Sequence, residues 1–218
     1  MSAQTKYAAM SRRAAMTAAA LAAMATLAGC TGGGAGAAAE GDMAMGAAEG
    51  AKVTVIEYAS VTCHVCAAWQ KENWEAFKAA YVDTNKVRYV FRELPTGPVN
   101  VAVAGFMIAR CAGDDKYFDV VHNILASQDE WQAGVNPRDT LFRIGNGAGL
   151  SNQQIEACIK NPDNIKAADA RARASQAAGI EGTPAFLVNG VPVVSPGSAS
   201  GPTMADLSRA IDAELAKN

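Results

Sequence analysis

The chain has 218 residues, half of them hydrophobic, which is enough for one well-packed domain but not for two large independent ones. Its formal net charge is −2, from 19 basic and 21 acidic side chains, and no cluster of Lys and Arg follows Arg13. This charge balance argues against a protein that binds nucleic acid by neutralising phosphates.

Residues 1–29 have the features of an export signal. A short basic segment precedes an uncharged run from Ala14 to Leu27, which is too short to span a bilayer comfortably. The run ends in Leu27-Ala28-Gly29-Cys30, which resembles the signal of bacterial lipoproteins. In those proteins the cysteine is lipidated and becomes the new N-terminus, so the resemblance implies lipidation at Cys30.

Lipidation of Cys30 would anchor the protein to a membrane without spanning it. Thr31 stands where an aspartate would retain a Gram-negative lipoprotein at the inner membrane. The resemblance therefore implies a periplasmic, lipid-anchored protein, with the outer membrane slightly favoured. Cleavage further on, near Ala39, would instead release a soluble exported protein, and an uncleaved anchor is a third alternative. Translation could start at Met1 or at Met10.

Residues 30–50 consist mainly of Gly, Ala and a few acids, with Met43 and Met45 as the large apolar side chains. Such a segment buries too little surface to offset the entropy lost on ordering, so it is predicted to be a flexible tether. The folded domain is expected over residues 51–218, beginning near Lys52.

A strand is predicted over Val53–Tyr58, where β-branched and aromatic residues alternate with polar ones. Apolar residues at helical spacing follow Cys66, so a helix is predicted there, with Thr62 as its cap. Cys63 would then lie at a helix N-terminus, where free N–H groups and the helix dipole favour a thiolate. Cys66, one turn later, would be shielded.

The Cys-x-x-Cys pair has more than one chemical interpretation. A zinc site would need two further ligands, and neither Cys111 nor Cys158 has a second Cys or His at the usual spacing. Strand, Cys-x-x-Cys and helix in this order favour a redox pair. A Cu(I) site, with His64 and soft sulfur ligands, remains an alternative.

The rest of the chain predicts a helical middle between further strands. A strand is expected at Val87–Leu94, and an Asn189-Gly190 turn predicts a hairpin over Gly182–Val194, followed by a final helix at Thr203–Lys217. The predicted helices of the middle are Val99–Cys111, Tyr117–Ser127, Pro137–Asn146, Ser151–Lys160 and Pro162–Ala178.

From about Lys52 to its end, the chain resembles a DsbA-like thiol:disulfide oxidoreductase of the thioredoxin superfamily. Those proteins place Cys-x-x-Cys after the first core strand and then insert a helical subdomain. A Gly-x-Pro segment, a hairpin and a final helix follow the insertion. The matching segments here are Glu57–Cys66, the helical middle and Gly182-Thr183-Pro184. The implied fold is α/β: a thioredoxin fold with an inserted α-helical subdomain at about 97–178.

The resemblance also implies roles for individual residues. Cys63 would form the mixed disulfide with a substrate and Cys66 would resolve it. Thr183 and Pro184 would be joined by a cis peptide, face the cysteines and hold the substrate backbone. Glu57 resembles the family's buried acid, which exchanges protons with the second cysteine; the alternative is an outward-facing strand residue.

The dipeptide between the cysteines departs from the family pattern. Relatives commonly place a histidine directly before the second cysteine, whereas this chain has His64 followed by Val65. Both residues are expected to tune the redox pair, but Val65 has no side-chain group that could hydrogen-bond a thiolate. We therefore expect the pKa of Cys63 to lie below that of a free thiol without reaching the family's extreme.

Cys111 and Cys158 both fall in the helical middle. In an exported protein they are expected to form a structural disulfide that closes a loop of about fifty residues. A second redox pair that regulates the first, or two free thiols, are the alternatives.

The function expected from the resemblance is oxidation of cysteines in exported proteins, with a membrane or periplasmic redox partner that recycles the pair. A disulfide reductase or isomerase is the second candidate, and a copper-binding thioredoxin-like lipoprotein the third. No cofactor or resident metal is expected, and the monomeric oxidases resemble this chain more than the dimeric isomerases do.

Overall fold

A computed structural model describes residue 36 and residues 38–217. The predicted signal peptide and Cys30 lie outside these residues. The described chain forms one mixed sheet with the strand order β1-β3-β2-β4-β5. β3 runs parallel to β2, and the other neighbouring strands are antiparallel. The strands are β1 (Met43–Gly46), β2 (Thr54–Ala59), β3 (Arg88–Glu93), β4 (Ala185–Val188) and β5 (Val191–Val193).

Helices cover the sheet and fill the interval between β3 and β4. Helix α1 (His64–Phe77) follows β2 and continues into a short π-helical turn, Lys78–Val82, and α8 (Met204–Ala216) closes the fold. The inserted helices are α2 (Val99–Cys111), α3 (Tyr117–Ala126), α4 (Gln128–Gln132), α5 (Pro137–Gly147), α6 (Asn152–Lys160) and α7 (Pro162–Ala177). The predicted α/β architecture with a helical insertion is therefore confirmed. None of the described helices combines the length and apolarity needed to cross a bilayer.

Strand β2 is central and its side chains alternate between two cores. Val55 and Ala59 belong to the large cluster that includes α1, whereas Ile56 and Tyr58 belong to a smaller cluster on the opposite face. This alternation places Glu57 on the same face as Val55 and Ala59. The cysteine pair follows the end of β2, so the sheet fixes the position of the site.

The prediction of a flexible tether up to residue 50 is wrong for its last part. β1 pairs with β3, Met43 is buried, and Asp42 accepts two hydrogen bonds from Arg92, at 2.9 Å from Nε and 2.7 Å from Nη2. Composition did not predict the order of this segment, because that order depends on backbone pairing at a sheet edge and on an ion pair. In both cases the partner lies far along the chain.

Cys111 and Cys158 form a disulfide that joins the end of α2 to α6. Cys158 is buried, and its carbonyl accepts a hydrogen bond from Asn164 Nδ2 in α7 at 3.1 Å. Three helices of the insertion therefore meet at this bond. The free-thiol alternative is wrong for this structure, while a redox role for the disulfide stays untested.

Candidate active site

Cys63 and Cys66 lie at the start of α1, with both thiols reduced. Cys63 is the N-cap residue, and its sulfur accepts a hydrogen bond from the Cys66 backbone N–H at 3.2 Å. The cap predicted at Thr62 is therefore one residue too early. A sulfur that caps a helix occupies the position where the unpaired N–H groups and the dipole favour negative charge.

Thr62 fixes the loop before the helix instead. Its hydroxyl lies 3.0 Å from the Thr96 carbonyl oxygen, to which it donates, and 3.0 Å from the Ser60 hydroxyl. The Ser60 hydroxyl also accepts from the Thr96 N–H at 3.0 Å. The loop that ends at Cys63 is thus tied to the loop after β3.

The segment before β4 forms the wall opposite Cys63. The Thr183–Pro184 peptide is cis, as the family resemblance implies, and the Cys63 sulfur lies 3.4 Å from the Thr183 carbonyl oxygen. Gly201 packs against this wall with φ +81°, and a Cβ there would lie 2.9 Å from Pro184 Cγ. Only glycine combines that backbone conformation with so close an approach.

The surroundings of Cys63 stabilise its thiolate. Hydrogen bonding to the Cys66 thiol lowers the pKa of Cys63 most, burial opposes this, and a Thr183 side-chain hydrogen bond and the Cys66 and Val65 N–H groups lower it further. The resulting pKa of Cys63 is about 6, against 9.0 for an ordinary cysteine. This value agrees with the expectation of a lowered pKa that stays above the family's extreme of about 3.5.

A titration should detect this lowered pKa. In the reduced wild type, thiolate absorbance is expected to rise with a midpoint of about 6, well below that of a free thiol, because the pKa of Cys63 is lowered while Cys66 keeps its proton. Since the folded pKa of Cys63 is lowered, the stabilisation of the reduced wild type is present above pH 9 and lost as pH falls to about 6. A Cys63 midpoint near 8.5 in the wild type would contradict the site geometry.

Cys66 has the opposite environment. It is buried, and burial together with its hydrogen bond to Cys63 raises the pKa of the Cys66 thiol. The negative charges of Cys63 and Glu57 raise it further. Cys66 therefore keeps its proton at neutral pH and needs a base to become a nucleophile.

Glu57 is buried beside the pair, so the outward-facing alternative is wrong. Burial raises the pKa of Glu57 to about 7, a hydrogen bond donated by the Tyr89 hydroxyl lowers it, and the charge of Cys63 raises it. A carboxyl group with this pKa is half-ionised near neutrality, which suits a group that exchanges protons.

The other predicted residues lie at the rim. His64 is exposed, and Val65 is half-buried and contributes a backbone N–H to the Cys63 sulfur. Any tuning by the His64 ring stays a prediction. Within residues 38–217, no group of three or more His, Cys, Asp or Glu side chains could hold a metal ion.

Gln128 is a site residue that the sequence did not indicate. It is buried in α4, and its Nε2 donates to the carbonyl oxygens of Val61 at 2.8 Å and Cys63 at 3.2 Å. No motif marks this residue, because its role depends on the packing of a five-residue helix that lacks a periodic apolar pattern.

Comparison with known proteins adds evidence on the family. The sequence profile described as thioredoxin matches residues 38–213. A protein of Rickettsia conorii, provisionally named a protein-disulfide oxidoreductase, is 37% identical over 158 residues, which cover 70% of this chain and 54% of that protein. The chain thus spans about half the length of this curated relative.

Two solved structures share the fold. The crystal structure of α-DsbA1 from Wolbachia pipientis is 23% identical with a TM-score of 0.70, and the match covers 82% of this chain and 92% of that one. Oxidised BdbD from Bacillus subtilis is 13% identical with a TM-score of 0.70, covering 81% and 94% of the two chains. At these identities the likeness concerns the fold.

Proposed function

Since the chain belongs to the thioredoxin family and has the fold of DsbA-type proteins, we propose that it is a thiol:disulfide oxidoreductase acting on cysteine-containing proteins. The observation that carries this proposal is the asymmetry of the pair. The pKa of Cys63 is lowered to about 6, while that of its neighbour Cys66 is raised. The Cys63 sulfur is therefore a thiolate that can take part in exchange, whereas the Cys66 sulfur stays protonated until a base takes its proton.

In the oxidising direction, a substrate thiolate attacks the Cys63 sulfur of the Cys63–Cys66 disulfide. A mixed disulfide forms, and Cys66 leaves and takes a proton from Glu57. A second substrate thiolate then attacks the substrate sulfur of the mixed disulfide and releases Cys63 as a thiolate. The substrate loses two electrons, which the cysteine pair gains.

The reducing direction is the reverse. The Cys63 thiolate attacks a substrate disulfide, and Cys66 resolves the mixed disulfide while its proton passes to Glu57. In either direction the Thr183–Pro184 segment, which faces the Cys63 sulfur, holds the substrate backbone.

Oxidation is the preferred direction in this proposal. The lowered pKa of Cys63 stabilises the reduced pair, and a stabilised reduced form makes the disulfide a stronger oxidant. The clients are exported proteins, and a separate redox partner reoxidises the pair. Lipidation at Cys30 anchors the protein in the periplasm, on the outer membrane in preference to the inner one.

Two activity assays test this function. The oxidised protein is expected to form a disulfide in a reduced dithiol peptide faster than the reduced protein reduces insulin. The thermal midpoint of the reduced form should exceed that of the oxidised form. Reductase activity alone would reverse the direction, and the absence of both activities would refute the exchange function.

Labelling with a fatty-acid analogue tests the lipid anchor separately, and the label should be lost in Cys30→Ala.

A further inference from the structure

Tyr89 lies beside Glu57, the proposed proton acceptor, and has no role in the reaction as proposed above. Its side chain is fully buried on β3, next to β2, and its hydroxyl donates to Glu57 Oε2. Among the described residues Tyr89 is the only hydrogen-bond partner of that carboxyl group. Glu57 itself is 4% exposed.

Aromatic packing holds the Tyr89 ring in place. Ring centroids of Trp74 and Phe77, both in α1, lie 5.1 and 5.6 Å away, and that of Phe118 in α3 lies 5.9 Å away. Such packing leaves little room for another rotamer. The hydroxyl therefore stays directed at the carboxyl group.

The Tyr89 hydroxyl keeps its proton and donates a hydrogen bond to Glu57. Burial, and then the charge of Glu57, raise the pKa of Tyr89 well above 10, so the phenol stays protonated at neutral pH. A donated hydrogen bond stabilises a carboxylate more than a carboxylic acid. Tyr89 thus opposes the effect of burial on Glu57, which would otherwise keep its proton to higher pH.

The other titratable groups around this pair come from two helices, while β4 places Phe186 beside Glu57. They are Cys63 and Cys66 at the start of α1, and Tyr117 and His122 from α3. The Cys63 charge raises the pKa of Glu57, and burial holds the pKa of His122 down to about 4, so that ring is neutral. None of these four groups hydrogen-bonds the Glu57 carboxyl group; among the described residues Tyr89 alone does.

We propose that Tyr89 is a positioning residue for the exchange reaction, which holds Glu57 in the ionised form that accepts the Cys66 proton when Cys66 resolves the mixed disulfide. This inference rests on the proposed function. Tyr89 acts through Glu57, the group to which its hydroxyl donates.

A small aromatic disulfide, 5,5′-dithiobis(2-nitrobenzoate), separates the two steps. The Cys63 thiolate attacks it and releases one thionitrobenzoate. Cys66 then attacks the Cys63 sulfur, releases a second thionitrobenzoate and gives its proton to Glu57. The protein dithiol loses two electrons and the reagent gains them, so stopped-flow absorbance records one phase for each cysteine.

The midpoint of the second phase is the pH at which its rate reaches half of the maximum. In Tyr89→Phe this midpoint is expected to move up by about one pH unit. The second phase should then slow about fivefold at pH 7, because less carboxylate is present, and recover at higher pH. The first phase should change little, since it reports on Cys63.

Tyr117→Phe is the matched control. Tyr117 is also fully buried and its hydroxyl also donates to a carboxylate, Glu93 Oε1 at 3.2 Å, outside the cysteine pair. This variant should leave the second-phase midpoint in place. Replacing the tyrosines by 3-fluorotyrosine, a stronger hydrogen-bond donor, should lower this midpoint in the wild type. In Glu57→Gln, which has no carboxylate to titrate, the same replacement should leave the second-phase rate at pH 7 unchanged. The comparison provides a test even if Tyr89→Phe does not fold.

Three results would overturn the inference: equal midpoints in Tyr89→Phe and wild type, equal shifts in the two tyrosine variants, or no effect of fluorotyrosine. An absent first phase in the wild type would instead contradict the proposed function, so the two failures are distinguishable.

Discussion

A Cys63→Ser variant is expected to lose both peptide oxidation and insulin reduction by more than about 10³-fold. The reason is that no other described sulfur can replace it. Cys66 is buried and keeps its proton, and Cys111 and Cys158 are joined in a disulfide. Both assays should be run at pH 7, where the Cys63 thiolate predominates in the wild type.

The Cys66→Ser variant is the matched control, because it removes the second sulfur and leaves the first. Cys63 should still attack a substrate disulfide, but the mixed disulfide should accumulate, and mass spectrometry would detect it as a covalent adduct. Exchange that persists in Cys63→Ser, or adducts on a cysteine other than Cys63 in Cys66→Ser, would contradict the assigned roles.

A Glu93→Gln variant is expected to lower the free energy of unfolding by about 3 kcal/mol. The Glu93 side chain at the end of β3 is 3% exposed and pairs with Arg110 Nε at 2.5 Å and Arg171 Nε at 2.8 Å. It also accepts from the Tyr117 hydroxyl. Removing the carboxylate leaves two guanidinium groups, from α2 and α7, without their buried counter-charge. Urea denaturation of the purified domain would measure the change.

Glu156→Gln provides the comparison. Glu156 also has two cationic partners, Arg138 at 3.1 Å and Lys160 at 3.2 Å, but its side chain is 44% exposed. Its loss should change the free energy of unfolding by less than about 0.5 kcal/mol. Equal effects of the two variants would show that the Glu93 network does not hold the helical insertion to the sheet.

The sequence predicted the elements whose signals are local. Periodicity located β2, β3 and the long helices, and Asn189-Gly190 marked the final hairpin, where both residues have positive φ. β1 was missed because a four-residue edge strand depends on a partner more than forty residues away. α4 was missed because five residues carry too little periodicity.

The residues of the site were likewise predicted where their sequence signals are local and missed where they are not. The spacing of Cys63 and Cys66 and the Gly-x-Pro segment could be recognised along the chain. Alternation in β2 could show that Glu57 shares a face with Val55, but not which face the helices cover. Contacts of Tyr89 and Gln128 cross from one element to another, so no pattern in either segment could reveal them.

The two hydrogen bonds from Gln128 have a consequence for protein engineering. They make the helical insertion a physical support of the cysteine loop, because the amide that holds the Val61 and Cys63 carbonyls belongs to α4. A miniaturised scaffold that joins β3 directly to β4 would retain the sulfurs of Cys63 and Cys66 but lose these two hydrogen bonds. Such a scaffold would need another hydrogen-bond donor for the Val61 and Cys63 carbonyl oxygens, since without one the position of the Cys63 sulfur would be less well fixed.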